Sequence, residues 1–275
     1  MKRQIFGIVC LVAAGTLAAG TARAGIIDDL ANAEILEEFL FDDMAGTAID
    51  AVANNVTSHL FDADADNAAV VTNGSGQLNA SPKDNVEFGT NYVDNDTLTP
   101  ADRRILGVME MTWDFQSVLD TAENEELRIS LIQFDPRSTF VVAEWEIQRE
   151  DDDTLTILGN GVGAGATDLG PVVLNGGSLT QTQKFIAVVD ADMGSDTYFI
   201  HFSNDGGATF TTLGPANLDP TRDTIDSLRM GLNNNLVGDN VLIDRVYLAR
   251  IPEPASVALL AFGLGLVAVS RRHPR

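Results

Sequence analysis

Two glutamates in one apolar-polar segment are the side chains of this sequence that are best placed to do chemistry. Glu144 and Glu146 flank Trp145, and residues two apart on a strand point to the same face of a sheet. Their carboxyl groups then lie near the separation of about 5–5.5 Å that retaining glycoside hydrolysis requires. The pair could therefore serve as a nucleophile and an acid–base.

The residues around this pair argue against that role. The segment is similar to the active-site strand of laminarinase-type glycosidases, and the resemblance implies a third acid four positions after the first, often with an aspartate between them. Gln148 stands at the third position and Glu146 at the middle one, so the motif is broken. Charged residues usually remain exposed. We therefore expect a solvated strand face and a noncatalytic protein, with a glycan-active hydrolase or lyase as the alternative.

Alternation along residues 140–148 indicates the element that carries the pair. Apolar side chains occupy every second position and polar ones lie between them, which is the pattern of a strand with one buried face. The predicted inward side chains are Val141, Ala143, Trp145 and Ile147, and the predicted outward ones are Glu144, Glu146 and Gln148.

A run of aspartates resembles the start of a calcium loop. Asp62, Asp64 and Asp66 alternate along it, but an EF-hand needs glycine at the sixth position and glutamate at the twelfth. Asn67 and Asn73 stand there. We expect a solvated acidic loop, with a nonclassical calcium site as the alternative.

Asp244 is predicted to lie among apolar neighbours. On a regular strand it shares a face with Leu242 and Val246, and a carboxylate in such surroundings needs a partner. Backbone donors, an arginine from elsewhere, or calcium shared with Asp42 or Asp43 would each serve. Asp43 and Asp244 are therefore the candidates for a structural calcium ion, and the sequence predicts no other cofactor.

Residues 203–210, Ser-Asn-Asp-Gly-Gly-Ala-Thr-Phe, resemble the Asp-box hairpin of sialidase-like propellers. A propeller would carry several evenly spaced copies, and this sequence has one. Asp205 can bond to the backbone of its own turn, and the two glycines supply positive φ. The segment predicts a stabilised hairpin turn.

Histidine and aromatic side chains add two expectations. Between residues 25 and 250 the histidines are His59 and His201, so a multi-histidine metal site is excluded. His201 is expected to be structural rather than a general base. If the protein stacks on sugar rings, the predicted aromatic residues are Trp113, Tyr198 and Tyr247.

The charge of residues 25–250 limits the partners of this segment, the body of the protein. Removing the two ends takes six of the 17 lysines and arginines and one of the 40 acidic residues, which leaves 11 against 39 and a net charge of −28. Nucleic acid and anionic membranes would be repelled. The body contains no cysteine, which excludes disulfides and thiol chemistry.

The first 24 residues have the three-part order of a secretory signal peptide. Lys2 and Arg3 precede an apolar run, and Ala22 and Ala24 stand at the small-residue positions of a cleavage site. Export by the Sec machinery and cleavage before Gly25 are therefore predicted.

The last 25 residues mirror this order. Pro252, Glu253 and Pro254 precede an apolar stretch, and Arg271 and Arg272 follow it. About sixteen residues at 1.5 Å rise give roughly 24 Å, slightly less than a membrane core. The arginines are expected on the cytoplasmic side.

This tail resembles the PEP-CTERM sorting signal of Gram-negative bacteria. The resemblance implies a transmembrane helix that anchors the body transiently in the inner membrane, until an exosortase, a transpeptidase-like membrane enzyme, cuts the tail. The body would then be released or attached at the cell surface. We expect contact with the membrane through this tail only.

Turn signals about every ten to fifteen residues, between runs rich in Val, Ile, Thr and Phe, predict an all-β sandwich. Residues 34–43 fit a helix or a strand, and residues 45–55 and 81–103 fit loops. The predicted strands are 68–72, 77–79, 105–115, 127–134, 140–148, 155–159, 185–190, 197–202, 209–213, 228–232 and 241–248.

The order of these pieces resembles the concanavalin A-like jelly roll of laminin-G-type, lectin and glucanase modules. The resemblance rests on residues 39–51, 197–214 and 228–251. It implies a jelly-roll β-sandwich over 25–250, with the last strand beside the first, between the signal peptide (1–24) and the sorting tail (251–275). We expect an exported surface or matrix protein that binds extracellular polysaccharide, with a purely structural matrix protein as the alternative.

Overall fold

The structure is a computed structural model of the chain. It describes residues 25–56, 60, 62–63, 71–79, 86–91, 98–99, 102, 104–114, 125–135, 138–149, 155–160, 166–172, 183–219, 221, 224–233 and 240–252. The predicted signal peptide, most of the sorting tail and the acidic loop after Ala63 lie outside the described residues.

The described part of the chain consists mainly of β-strands, which confirms the all-β prediction. It begins with one short helix, α1 (Ile26–Asn32), and includes a 3₁₀ turn at Ile49–Ala51. The strands are β1 (Glu34–Phe39), β2 (Asp62–Ala63), β3 (Val71–Thr72), β4 (Leu78–Asn79), β5 (Val86–Asn91), β6 (Arg104–Asp114), β7 (Glu125–Asp135), β8 (Ser138–Arg149), β9 (Leu155–Asn160), β10 (Ala166–Val172), β11 (Gln183–Asp192), β12 (Thr197–Ser203), β13 (Thr211–Asn217), β14 (Ser227–Asn233) and β15 (Asn240–Ile251).

These strands form two antiparallel sheets. The eight-stranded sheet has the order β13-β12-β11-β6-β15-β4-β3, and β1 pairs with β15 on the same edge as β4. The seven-stranded sheet has the order β10-β9-β8-β7-β14-β5-β2. The last strand lies beside the first, as predicted, with Glu34 opposite Arg250 and Phe39 opposite Val246.

The two sheets pack face to face around one main core. Trp145 of β8 has no exposed surface, and its ring centroid lies 6.4 Å from that of Phe202 in β12. Phe202 in turn lies 5.1 Å from Phe185 of β11. At Gly107 of β6 the sheets are so close that a Cβ atom would lie 2.6 Å from a methyl group of Leu228 in β14. Burial of this apolar surface is the main force that holds the sheets together.

A smaller apolar cluster lies on the outward face of the eight-stranded sheet. Leu106 and Val108 of β6 point away from the main core, and Ile26 of α1 packs with them. Ile251 at the end of β15 packs against the same cluster. Both faces of β6 are therefore buried. The helix that follows the predicted signal peptide and the strand that precedes Pro252 contact the same apolar cluster.

Three described strands lie where the sequence predicts no strand. β2 falls at the start of the predicted acidic loop and pairs with β5. β5 falls within residues 81–103, the segment predicted to be a loop, and pairs with β14 and β2. β10 contains Gly170 and Pro171 and pairs with β9 at the sheet edge, where a proline is tolerated. Turn-type residues in and around these strands mask them, and pairing with neighbours stabilises them. The sequence analysis also did not anticipate α1.

Other segments agree with the sequence. Residues 34–39 form a strand rather than a helix. β3 and β4 pair around the predicted Asn-Gly turn, where Asn73 N donates to Gln77 O at 2.8 Å. No helix in the described part of the chain is long and apolar enough to span a membrane, and the predicted transmembrane segment lies outside that part.

Candidate functional site

Glu144 lies on the outward face of the seven-stranded sheet. Ala143 and Trp145 on either side of it point into the main core, and it stands opposite Ser130 of β7, which pairs in turn with Arg229 of β14. Ser130 Oγ donates a hydrogen bond of 2.5 Å to Glu144 Oε2, and an Arg229 guanidinium nitrogen lies 3.8 Å from the same oxygen. Three adjacent strands thus bring together a carboxylate, a hydroxyl and a guanidinium, which form the Glu144 cluster.

The Glu144 cluster corrects the predicted solvated face. Glu144 is 3% exposed and Ser130 is 1% exposed, so the carboxylate is buried although it points away from the main core. The hydroxyl and the guanidinium offset its desolvation. The backbone of Glu146 lies two residues further along β8, but its side chain is outside the described part. The spacing of the two carboxyl groups therefore stays a prediction.

A second set of polar side chains crosses the outward face of the eight-stranded sheet. Arg104 of β6 donates to the two carboxylate oxygens of Asp190 in β11 at 3.2 and 2.6 Å, and to Asp29 of α1 at 2.8 Å. His201 of β12 bonds to Asp190 through Nε2 at 3.1 Å and to Thr212 of β13 through Nδ1 at 2.8 Å. These five side chains, from α1 and four neighbouring strands, form the Arg104 network.

The Arg104 network holds buried charge in a fixed geometry. Asp190 has no exposed surface and His201 is almost fully buried. Burial opposes the charge on Arg104, but the hydrogen bonds that it donates to Asp190 and Asp29 outweigh this effect and raise the pKa of the guanidinium. Both ring nitrogens of the buried His201 are hydrogen-bonded, to Asp190 and to Thr212, which holds the ring in place and agrees with its predicted structural role.

A β-bulge changes the surroundings of Asp244. The register between β15 and β6 shifts between Ile243 and Arg245, which leaves Asp244 as the extra residue. Val246 points into the main core. The regular alternation that places Asp244 on the face of Val246 is therefore wrong.

Protein groups supply partners to Asp244. Gln77 Nε2 and Thr112 Oγ1 donate to its two oxygens at 2.6 and 3.1 Å. Asp43 is half-buried in the loop that follows β1. Among the described residues no group of three or more His, Cys, Asp or Glu side chains could hold a metal ion. Calcium shared by Asp43 and Asp244 has no ligand set there and stays a prediction.

Asp205 stabilises the turn between β12 and β13, as predicted. Its carboxylate accepts hydrogen bonds from Ser203 Oγ at 2.7 Å, from Thr209 N at 2.9 Å and from Thr209 Oγ1 at 2.7 Å. Gly206 and Gly207 have φ angles of 71° and 91°, a region that favours glycine. The hydrogen bond from the Thr209 hydroxyl, followed by those from Thr209 N and Ser203, lowers the pKa of Asp205 to about 2.

The tyrosines predicted to stack on sugar rings are buried. Tyr198 has no exposed surface and packs in the main core, where burial raises the pKa of its phenol. Tyr247 is 5% exposed, and the Arg245 guanidinium lies over its ring at 4.3 Å from the centroid. A sugar needs an open ring face, so both predictions are wrong. The side chain of Trp113 is outside the described part.

The predicted sorting motif begins where the last strand ends. β15 remains in the sheet up to Ile251, and Pro252 is exposed. Arg250 Nε and a terminal guanidinium nitrogen donate to the two oxygens of Glu34 at 2.8 and 3.0 Å, and its other terminal nitrogen donates to Asp102 at 3.1 Å. These three side chains form the Arg250 clamp.

Most residues of the two predicted processing signals are not described. Gly25, which follows the predicted signal cleavage site, is exposed immediately before α1. The signal residues outside the described part are Ala22, Ala24, Glu253, Pro254, Arg271 and Arg272.

The comparisons with known proteins identify the tail. The family model described as the PEP-CTERM protein-sorting motif matches residues 250–275, so the chain carries this motif. No curated protein sequence matches the chain.

Solved structures with a similar architecture have low sequence identity to the chain. They include the CBM2 module of the evolved Dit of Lactobacillus casei BL23 phage J-1 (9% identity, TM-score 0.49, 81% of this chain and 98% of that one) and an endo-1,3-beta-glucanase from Streptomyces sioyaensis (13%, 0.48, 80% and 97%). Lectin II from Ulex europaeus is another (10%, 0.45, 70% and 92%). These neighbours are concanavalin A-like jelly-roll sandwiches, and none of them bears on what this chain binds.

Removal of the Asp190 carboxylate is expected to destabilise the body. Asp190→Ala deprives Arg104 and His201 of their shared partner, which lowers the free energy of unfolding by about 3 kcal/mol. Urea unfolding measures the loss. Asp28→Ala, on the exposed side of α1, is the control and should change the free energy by less than about 0.5 kcal/mol. Equal stability of the two variants would contradict a stabilising role for the network.

Asp205 is expected to titrate at about pH 2 in an NMR titration of its carboxyl carbon. Because this folded pKa lies below the unfolded value of about 3.9, the group stabilises the turn above about pH 4. That contribution is lost as the pH falls through about 2. Thr209→Val should raise the pKa, and Thr211→Val, at an exposed position of β13 beyond the turn, should not. An ordinary pKa in the unmodified protein would contradict the hydrogen bonds of this turn.

Proposed function

We propose that this chain is an exported protein of the Gram-negative cell surface or extracellular matrix. The Sec machinery exports it, the tail helix anchors it transiently in the inner membrane, and an exosortase cuts the tail. The body is noncatalytic and binds extracellular polysaccharide. The observation that carries the proposal is the PEP-CTERM motif at residues 250–275.

The position of the motif on the fold supports this processing. Pro252 is exposed directly after β15, and Gly25 is exposed directly before α1. Exposed segments at the ends of a domain are the places where proteolysis is tolerated. The predicted cuts at both ends therefore leave the main core intact.

The charge of the body narrows the proposed ligand. A net charge of −28 repels acidic polymers unless cations bridge them, so a neutral or amine-bearing polysaccharide is the favoured class. The large apolar side chains exposed in the described part are Ile27, Met44, Val56 and Leu60, and none is aromatic. Binding is therefore expected to depend on hydrogen bonds and charge.

Intact-mass analysis of the full chain tests the sorting step. The chain is expressed in a bacterium that has an exosortase and in the isogenic strain without it. We expect the mature protein to lack the signal peptide and the tail in the first strain and to end at Arg275 in the second. Glu253→Ala should retain the tail, whereas the control His273→Ala, beyond the apolar stretch, should lose it. An unmodified protein that still ends at Arg275 in the exosortase strain would overturn the proposal.

A polysaccharide panel tests the binding step. The melting temperature of the purified body is measured with neutral, amine-bearing and acidic polymers, and a ligand that prefers the folded state raises it. We expect a rise with neutral or amine-bearing polymers. No rise with any polymer would favour a purely structural matrix protein. Release of new reducing ends, abolished by Glu144→Gln, would contradict a noncatalytic body.

A further inference from the structure

The folded body continues into the sorting motif without a linker. β15 pairs with β6 up to Ile251, which stands opposite Arg104, and Pro252 follows directly, so the match to the motif at residues 250–275 begins inside the strand. Only Pro252, Glu253 and Pro254 lie between the sheet and the apolar stretch. At about 3.1 Å per residue in an extended, proline-rich conformation, these three residues span roughly 9 Å. An enzyme that acts on the tail at the membrane must therefore approach the end of the sandwich.

Enzymes that cut or transfer a peptide commonly bind it as an extended strand, through backbone hydrogen bonds on both sides of the reacting bond. On the body side of Pro252 those backbone groups are already engaged in the sheet. Arg250 is paired with Glu34 of β1 on one edge and with Ile105 of β6 on the other. The Arg250 clamp adds side-chain bonds to Glu34 and Asp102 at the same point.

We propose that the Arg250 clamp limits the rate of exosortase processing, because the end of β15 has to leave the sheet before the tail can enter the enzyme. This inference rests on the proposed function. The cut breaks one backbone amide bond of the tail. The carbonyl carbon on the body side of that bond forms a new bond to the oxygen of water or to the amine nitrogen of a surface acceptor. The nitrogen of the broken bond takes up the proton that the attacking group loses, and it leaves as the new amino terminus of the tail.

The clamp is weak enough to open locally. The side chains of Arg250 and Glu34 are 38% and 50% exposed, and exposed ion pairs at strand ends contribute little to stability. Further back, Leu248 and Ala249 are buried on opposite faces of β15, so opening is expected to stop at Arg250. Removal of one exposed ion pair raises the population of the open end by about 1.5- to 5-fold.

Pulse–chase labelling of the full chain in the exosortase strain tests the proposal. One variant carries a flexible Gly-Ser insertion of about six residues between Ile251 and Pro252, which supplies extended chain and leaves the folded body unchanged. A second variant, Glu34→Gln, weakens the clamp. The matched control is Glu38→Gln, which removes one of the two acidic partners of Arg245 on the same pair of strands, away from the end. Melting curves of the purified bodies show that each variant folds.

We expect the insertion to accelerate tail removal at least as much as Glu34→Gln, and Glu34→Gln to accelerate it about 1.5- to 5-fold. Glu38→Gln should be processed at the unmodified rate. If the insertion and Glu34→Gln are both processed at that rate, the clamp does not limit processing, while the proposed function stands. If neither the unmodified chain nor the insertion variant is processed, both proposals fall.

Discussion

Backbone pairing along β15 holds the eight-stranded sheet together. β6 pairs with it from Asn240 to Ile251, while β4 and β1 share its other edge. Its neighbour β6 is buried on both faces, by the main core on one side and by α1 with the smaller apolar cluster on the other. The buried polar side chains on the outward face of this sheet are hydrogen-bonded to one another across neighbouring strands.

Each sheet compensates buried charge in its own way. In the eight-stranded sheet the Arg104 network joins α1 to β6, β11, β12 and β13 through charge-assisted bonds, which are stronger than neutral ones. In the seven-stranded sheet Glu144 takes a short bond from Ser130 and lies near Arg229. Breaking one partner of such a group is costly because the other remains buried. Both groups therefore hold neighbouring strands in register.

Features set by local periodicity could be predicted from the sequence. The inward positions of Ala143 and Trp145 follow from alternation along β8, and the turn at Asp205 follows from its Gly-Gly pair. The position of the last strand beside the first came from the family resemblance, and the strand pairing agrees with it.

Features set by tertiary contacts could not be predicted. The bulge at Asp244 is a shift of one residue that alternation does not encode, and it changes the partners of that carboxylate. The burial of Glu144 depends on residues distant in sequence, Ser130 and Arg229. The sequence does not distinguish buried tyrosines such as Tyr198 and Tyr247 from exposed tyrosines that stack on sugar rings. Packing in the folded protein decides which tyrosine rings are buried. The Arg104 network could not be predicted, because the only feature of the sequence that points to it is a single acid, Asp190, at the end of an apolar run.

The pairing of the first strand with the last also governs when the body can fold. Glu34 and Arg250 are 216 positions apart, so their contact closes a loop that contains almost the whole body. Contacts of such long sequence separation form slowly, because the entropy of loop closure must be overcome before they contribute stability. In the proposed export, the sheet closes only after its final strand has emerged on the same side of the membrane as the first. Closure of the fold would then report that the entire body has been translocated.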